Sequence, residues 1–278
     1  MSFNLVETID DLDYLNNELL SRSYVGVDTE FRRTTKENMR LALLQINDTE
    51  EIYLIDTIMI SNPEASCSFL FSDSVKKVFH SCKEDLEAIY SWTGKKMTNL
   101  FDTQLADAFL NGQYSISYQA LVNEKIGIIL DKAETRSNWI RRPLTDAQLH
   151  YAASDVEFLI ELFSEQRKAL IETNKYEWYK EELEFISSKF FVQVTQEDNI
   201  TSILSKSEER ALLSKFNEII LHLAEIESIN PTMFFSKKSQ KDFLRLVLKE
   251  GLEGALNEIT HWRRMLIKKP LETILQDI

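Results

Sequence analysis

The chain has few cysteines, no long hydrophobic run and no excess of positive charge. Its two cysteines, Cys67 and Cys82, are too few for a disulfide framework and lack the spacing of zinc ligands. No stretch is long enough to span a bilayer, and the N-terminus lacks the basic start and apolar run of a signal peptide. These absences predict a protein of the reducing cytoplasm with no membrane partner.

The length of 278 residues and a hydrophobic content of 44% allow one large domain or two modest ones. The net charge of −13 argues against nonspecific binding of polyanions, because such binding depends on neutralising phosphates. The charge is unevenly distributed, since residues 201–278 contain 12 Lys/Arg and 11 Asp/Glu. The negative excess therefore lies in residues 1–200, where bound divalent cations would cancel part of it.

Residues 25–31, Val-Gly-Val-Asp-Thr-Glu-Phe, have the composition of a buried strand with two acidic residues. Side chains alternate along a strand, so Gly26, Asp28 and Glu30 share one face. Two carboxylates held this close repel each other, and their burial without a partner is costly. Mg²⁺ or Mn²⁺ would compensate them, because these ions prefer hard oxygen ligands. The alternative for this motif alone is a strand with a solvated polar face.

Two helices farther along the chain carry further polar side chains. After a strand-like run over residues 75–80, Ser81 suits an N-cap position, and Asp85 falls in the first turn, where the helix dipole favours acids. Residues 145–148 (TDAQ) have the pattern of a capping box that opens a long helix. On that helix Tyr151 and Asp155 are four residues apart and lie on one face. Separately, the first-turn acid is also typical of an ordinary solvated helix, and the Tyr and Asp of a local polar pair.

Taken together, D-x-E on a strand, an Asp after H-x-x-x-x and Y-x-x-x-D on a late helix resemble the DEDDy family of 3′–5′ exonucleases, and within it the ribonuclease D group. The resemblance covers about residues 1–170 and includes further separated stretches: LLQI at 43–46, LID at 54–56, FDTQ at 101–104, LDK at 130–132 and RSNWIRRPLT at 136–145. One departure is Glu37-Asn38-Met39, where many relatives have Tyr-x-Pro. It concerns a loop on the substrate side and not the metal site.

The resemblance implies an α/β fold, an RNase H-like exonuclease core with a five-stranded mixed sheet flanked by helices, over residues 1–170. A connector over residues 171–207, with a β-like patch at 190–194, and a small all-helical HRDC-like domain over 208–278 would follow. The expected strands are 24–31, 40–46, 51–55, 75–80 and 99–101, the second and third forming a hairpin. The expected helices are 84–92, 103–111, 117–126 and 146–174. In the last domain Ser239 would cap a helix with Lys241, Arg245 and Lys249 on one face, and Gly251 would end it.

The activity implied by the resemblance is a metal-dependent 3′–5′ exoribonuclease, which shortens RNA from a free 3′ end, such as that of a tRNA precursor, and releases nucleoside 5′-monophosphates. Asp28, Glu30, Asp85 and Asp155 would hold two divalent cations, Mg²⁺ or Mn²⁺, and Tyr151 would orient the attacking water. The alternatives are a DNA-directed 3′–5′ exonuclease and a non-catalytic RNA-binding adaptor on a nuclease fold. Net charge and composition do not separate the three.

Five other residues lie near these motifs, and two of them, His80 and Trp139, have two interpretations each. His80 would contact substrate or be a satisfied core residue, and Asp102 would cap the following helix. Trp139 would stack on a terminal base or hold the loop before the last helix. Arg141 and Arg142 are candidates for phosphate contacts.

Overall fold

A computed structural model of the chain describes residues 2–35, 38–61, 63–131, 134, 137–190 and 206–276. The chain forms two compact units, residues 1–104 with 116–168, and residues 105–115 with 169–278. Within the described residues, no helix has the combined length and apolar content that crossing a bilayer requires.

The first unit is built on a mixed sheet of six strands in the order β1-β4-β3-β2-β5-β6. The strands are β1 Asn4–Val6, β2 Tyr24–Thr35, β3 Asn38–Asn47, β4 Ile52–Ile55, β5 Lys76–Phe79 and β6 Leu100–Asp102. Within residues 1–172 the helices are α1 Ile9–Leu19, α2 Lys83–Thr93, α3 Thr103–Phe109, α4 Tyr118–Lys125, α5 Asp146–Glu157 and α6 Leu159–Glu172. A short 3₁₀ helix covers Ser68–Phe71.

The predicted fold class and the predicted hairpin of β3 and β4 are confirmed, but the strand count of five is wrong by one. The additional strand, β1, pairs in parallel with β4, with Asn4 opposite Tyr53. It is only three residues long, and so short a strand shows no alternation of polar and apolar residues in the sequence.

Strand β2 lies close to the end of α5 and the start of α6. A Cβ atom at Gly26 would lie 3.2 Å from the Leu159 Cβ, so only glycine allows this approach without a shift. The side-chain Nδ2 of Asn47 donates to the backbone oxygens of Val156 and Glu157, each at 3.0 Å. These contacts fix the last turn of α5 over the strand that carries the D-x-E motif.

The predicted helix 146–174 is interrupted at Phe158, which separates α5 from α6. Asn47 occupies two carbonyls of the last turn of α5, and the Phe158 N–H donates to the Tyr118 hydroxyl oxygen at 2.9 Å. Side chains from other elements thus replace the helical hydrogen bonds at this point. The predicted capping box at the start of α5 is confirmed, because Thr145 and Gln148 exchange both hydrogen bonds.

The second unit contains the helices α7 Tyr176–Phe190, α8 Lys206–Ile226, α9 Pro231–Phe234, α10 Lys237–Leu256 and α11 His261–Leu275. A buried ion pair joins α7 to α11. The Arg263 guanidinium contacts both carboxylate oxygens of Glu182, and Trp262 Nε1 donates to the same carboxylate at 3.2 Å. Arg263 also donates to the backbone oxygens of Met233 at 2.7 Å and Phe234 at 2.6 Å.

Two details of this unit differ from the sequence prediction. Helix α10 begins at Lys237, and its N-cap is Ser236, whose hydroxyl oxygen accepts from the Ser239 N–H at 3.1 Å, so the predicted cap at Ser239 is wrong. Gly251 interrupts the helix with a φ of 79°, as predicted, although helical backbone resumes as far as Leu256. Helix α7 lies within the predicted connector, and the β-like patch beyond residue 190 falls outside the described residues.

Candidate active site

Three carboxylates of the predicted set converge in the first unit. Asp28 and Glu30 come from β2, Asp155 comes from α5, and one oxygen of each lies within 4.8 Å of the other two. All three residues are partly buried. The alternation of β2 and the anchoring of α5 by Asn47 produce this convergence, as expected for residues on the same face.

Asp85 is adjacent to this group but outside it. Its side chain is buried, with 6% exposed, and accepts a hydrogen bond of 2.5 Å from the Thr29 hydroxyl. Thr29 lies between Asp28 and Glu30 in β2, so the fourth predicted carboxylate is tied to the same strand. Its negative charge contributes to raising the pKa of Asp28.

The start of α2, which carries Asp85, is held by Asp102 and not by the predicted cap. Ser81 has a left-handed φ of 64° and precedes the N-cap Cys82, which makes no side-chain capping bond. The Asp102 carboxylate accepts from the N–H groups of Ser81 at 3.1 Å and Cys82 at 2.9 Å. It also accepts from the Gln104 N–H at 2.9 Å, the predicted capping role at α3. The sequence of α2 alone does not predict the role of Asp102 there, because Asp102 lies outside that helix.

The carboxylates of the site destabilise one another when ionised. Burial raises the pKa of Asp28 well above its ordinary value, and repulsion from Asp85 and Asp155 adds to this. Burial, with repulsion from the same two residues, raises the pKa of Glu30 to about 9. Burial also raises the pKa of both Asp85 and Asp155 to about 7. Across the described residues, no lysine, arginine or histidine forms an ion pair with any of the four.

The donor set fits a hard divalent cation. Carboxylate oxygens are the ligands that Mg²⁺ and Mn²⁺ prefer, and a bound cation would relieve the repulsion that raises these pKa values. Gln45 lies opposite Asp28 in the β2–β3 register and is fully buried. Neither its amide nitrogen nor its amide oxygen has a hydrogen-bond partner among the described residues. The site therefore contains both uncompensated charge and an unsatisfied buried amide.

Tyr151 lies on the same face of α5 as Asp155, as its spacing predicts. It hydrogen-bonds the Asp155 side chain, which by itself lowers the pKa of that carboxyl. Gln119 Nε2 lies 3.5 Å from Asp155 Oδ1. The Trp139 ring packs beside the Tyr151 ring, with centroids 6.1 Å apart, and only 4% of Trp139 is exposed. Trp139 thus holds Tyr151 and the preceding loop, and it is too buried in this conformation to stack on a base.

Of the other candidates, His80 and Arg142 have structural roles. The ring nitrogens of His80 lie 2.9 Å from Thr103 Oγ1 and 2.9 Å from the Ile116 backbone oxygen, which confirms the core interpretation. The Arg142 guanidinium contacts both carboxylate oxygens of Asp56 and donates to backbone oxygens. The prediction of a phosphate contact by Arg142 is therefore wrong. The sequence contained a signal for the structural role of Arg142. Asp56 is an acidic residue at the end of a buried strand, and such a carboxylate requires a cationic partner.

Comparison with known proteins places this geometry in a family. A family model described as 3′–5′ exonuclease matches residues 3–171. Ribonuclease D of Xanthomonas oryzae is 41% identical over 160 residues, which cover 58% of this chain and 44% of that protein. The crystal structure of Escherichia coli RNase D, described as an exoribonuclease involved in structured RNA processing, superposes with a TM-score of 0.68 at 25% identity. That match covers 100% of this chain and 75% of the other.

A further structure, Brucella melitensis NrnC with bound Mg²⁺, shares the fold with a TM-score of 0.59 at 19% identity, over 71% of this chain and all of the other. The chain spans 39% to 50% of the length of the curated ribonuclease D relatives that it matches. The family model covers more than half of the chain and includes all five predicted site residues, Asp28, Glu30, Asp85, Tyr151 and Asp155. The chain therefore belongs to the 3′–5′ exonuclease family, and it resembles the ribonuclease D members of that family.

Proposed function

We propose that the protein is a metal-dependent 3′–5′ exoribonuclease of the ribonuclease D type, which removes nucleoside 5′-monophosphates one at a time from a free 3′ end. The observation that carries this proposal is the convergence of the Asp28, Glu30 and Asp155 carboxylates within 4.8 Å, in a chain of the 3′–5′ exonuclease family. Tyr151, which hydrogen-bonds Asp155, belongs to the same predicted set of five residues.

In this proposal, Asp28, Glu30, Asp85 and Asp155 hold two divalent cations, Mg²⁺ or Mn²⁺. Such cations, when bound, activate a water and stabilise the charge that develops on the attacking and leaving oxygens of a phosphodiester. The Mg²⁺ of Brucella melitensis NrnC, which has the same fold, supports this assignment. The protein's contribution is to hold the carboxylates rigidly, with Asp85 fixed by Thr29 and Asp155 by its position at the anchored end of α5.

Tyr151 positions the attacking water through its hydroxyl group. Because the Tyr151 hydroxyl donates to the Asp155 carboxylate, its main role is orientation and not proton abstraction. The packing of Trp139 against its ring and the hydrogen bond to Asp155 restrict the hydroxyl to one location. Replacement of Tyr151 by Phe would keep the ring packing and remove only the hydroxyl.

The proposed substrate is structured RNA with a free 3′ end, such as a tRNA precursor, in the cytoplasm. The description of Escherichia coli RNase D as an exoribonuclease involved in structured RNA processing supports this choice. The proposed domains are an exonuclease domain at 1–170, a connector at 171–207 and an HRDC-like helical domain at 208–278. The helices α8, α10 and α11 are consistent with the last of these.

The test is a time course on 5′-labelled single-stranded RNA with Mg²⁺, Mn²⁺ or EDTA, comparing the wild type with Asp155→Ala. We expect a ladder that shortens from the 3′ end with either metal, and no ladder in EDTA or with the variant. A matched DNA oligonucleotide tests the DNA-directed alternative, which is favoured if DNA alone is degraded. RNA binding that survives Asp28→Asn, without degradation by either protein, would contradict the proposal and favour the adaptor.

A further inference from the structure

Two arginines lie directly opposite each other on the hairpin that carries the acidic motif. Arg32 in β2 is paired in register with Arg40 in β3, and both residues are exposed. Residues that are directly opposite in an antiparallel pair project from the same side of the sheet, with Cβ atoms roughly 5 Å apart. The two guanidinium groups therefore share one face of the hairpin.

This face is the one that carries the acidic cluster. Alternation along β2 places Arg32 on the side of Asp28 and Glu30, two residues beyond Glu30 and thus roughly 7 Å along the strand. The bulge near this point does not change that assignment. Glu30 pairs with Leu43 and Phe31 pairs with Leu41, so the extra residue is Ala42 in β3 and β2 continues its alternation.

Neither arginine forms an ion pair with an acidic side chain among the described residues. Like charges directly opposite on a sheet are destabilising. The adjacent Arg33 shows the contrast. On the other face of β2, Arg33 Nη1 donates to Glu87 Oε1 at 2.8 Å, and its guanidinium lies 3.6 Å from Glu84.

We propose that Arg32 and Arg40 form a cation pair that binds the phosphodiester backbone of the RNA strand, next to the scissile phosphate and on its 5′ side. This inference rests on the proposed function, because it assigns a phosphate contact beside the same metal site. The planar guanidinium matches phosphate oxygens in a bidentate manner, and a phosphate between the two arginines would relieve their repulsion. In a chain of net charge −13, this pair gives a local attraction for a polyanion.

The experiment compares the wild type with Arg32→Ala/Arg40→Ala on a labelled RNA of twelve nucleotides and on the p-nitrophenyl ester of a nucleoside 5′-monophosphate. The ester has no upstream phosphate and therefore reports on the metal site alone. We expect KM for RNA to rise about tenfold, with a much smaller change for the ester. Arg32→Lys/Arg40→Lys should recover part of the affinity, because it restores the charge without the planar fork.

A binding measurement separates this inference from the proposed hydrolysis. RNA affinity is measured by fluorescence anisotropy at several salt concentrations in an Asp155→Ala background, so that the RNA is not consumed. The slope of log K against log salt should fall by about 0.7 for the double variant, since the pair neutralises one phosphate and each neutralised phosphate of a single strand contributes about 0.7. As a control, Lys95→Gln/Lys180→Gln removes the same charge from two exposed ion pairs, with Glu64 and Glu177, and should leave the slope unchanged.

An unchanged salt slope in Arg32→Ala/Arg40→Ala would overturn the cation pair, whether or not the wild type degrades RNA. A reduced slope in a protein that hydrolyses neither RNA nor the ester would support the pair as a nucleic-acid contact and reject the proposed activity. The thermal midpoint gives the last distinction. Removing two like charges that face each other should leave the thermal midpoint unchanged or raise it. A fall in the midpoint together with an unchanged salt slope would mean that the two arginines stabilise the fold and do not bind RNA.

Discussion

Glu182 of the helical unit and the acidic cluster of the sheet unit differ in how their negative charge is compensated. In the helical unit, the Glu182 side chain is 6% exposed and the facing Arg263 side chain is 11% exposed. Glu182 accepts hydrogen bonds from Arg263 and from Trp262 Nε1, and the remaining Arg263 donors reach backbone oxygens. In the sheet unit, Asp28, Glu30 and Asp155 converge without a cation among the described residues.

This difference distinguishes a structural charge from a functional one. An ion is costly to bury, and a fold retains it only where a partner supplies opposite charge and hydrogen bonds. Arg263 supplies both to Glu182 within the protein. The acidic cluster lacks such a partner, and the raised pKa values of its members express the resulting cost. In the proposed function, a bound divalent cation would fill that role and make the same residues chemically useful.

Asp28→Asn should separate activity from stability most clearly. We expect RNA hydrolysis to fall by about 10⁴-fold, because the loss of one ligand charge weakens cation binding and transition-state stabilisation by several kcal/mol. The metal-free variant should unfold at a slightly higher temperature than the wild type, since one source of repulsion is gone. Single-turnover kinetics and thermal unfolding in EDTA measure the two effects.

Glu182→Ala tests the structural carboxylate of the comparison, and it should lower stability where Asp28→Asn raises it slightly. It leaves the buried Arg263 guanidinium without its carboxylate, which we expect to lower the free energy of unfolding by about 3–5 kcal/mol. Urea unfolding followed by circular dichroism measures the change. Glu177→Ala, on the same helix and in an exposed pair with Lys180, is the matched control, with an expected loss below about 1 kcal/mol. Equal losses for the two variants would contradict the comparison.

The acidic cluster should make the stability of the metal-free protein fall as pH rises, and added metal should remove this fall. The carboxylates of the cluster have raised pKa values in the folded state, so between about pH 4 and pH 9 these groups bind more protons in the folded protein than in the unfolded chain. Stability in EDTA is therefore greatest below the ordinary pKa and is lost as pH rises through the folded values. We expect the thermal midpoint to fall by about 3–5 °C over this range, and saturating Mn²⁺ to abolish the fall.

Other groups titrate with the opposite sign, and Lys77 and His80 are two that do so in the same window. Burial lowers the pKa of Lys77 to about 7 and lowers the pKa of His80, so both favour the folded state as pH rises. The informative quantity is therefore the difference between the EDTA and Mn²⁺ curves, which these two groups do not affect. That difference should shrink in Asp28→Asn. A wild-type difference that does not depend on pH would contradict the electrostatic account of the cluster.

The sequence predicted the elements that depend on local chemistry. The D-x-E strand, the Thr145 capping box, the Tyr151–Asp155 spacing and the hairpin all follow from periodicity and capping, and the structure has them. The convergence of Asp155 with Asp28 was predictable only through the family resemblance. The contacts that produce it, at Gly26 and Asn47, join residues at least 109 positions apart, and no local pattern reports such contacts.

The errors have the same cause. Arg142 has the sequence signature of an exposed phosphate contact, yet its partner Asp56 lies 86 residues earlier in the chain. Ser81 has the composition of an N-cap, but its left-handed backbone removes it from the helix, and the missing acceptor comes from Asp102 in another strand. Propensity identifies the need for a partner, and tertiary structure decides which residue meets it.

A substitution at Asp102 should have the smallest effect of those considered. Asp102 is a carboxylate of the sheet unit whose hydrogen-bond donors are backbone N–H groups. Asp102→Ala removes the acceptor for Ser81 and Cys82 at α2 and for Gln104 at α3, and we expect a loss of about 1–2 kcal/mol of stability. The first turn of α2 carries Asp85, so loosening it should also raise the Mn²⁺ concentration needed for half-maximal activity by severalfold. Asp102→Asn retains one acceptor oxygen and should lie between the two proteins in both measurements. A loss of stability with an unchanged Mn²⁺ requirement would mean that Asp102 supports the fold alone, and that Thr29 is sufficient to hold Asp85 in place.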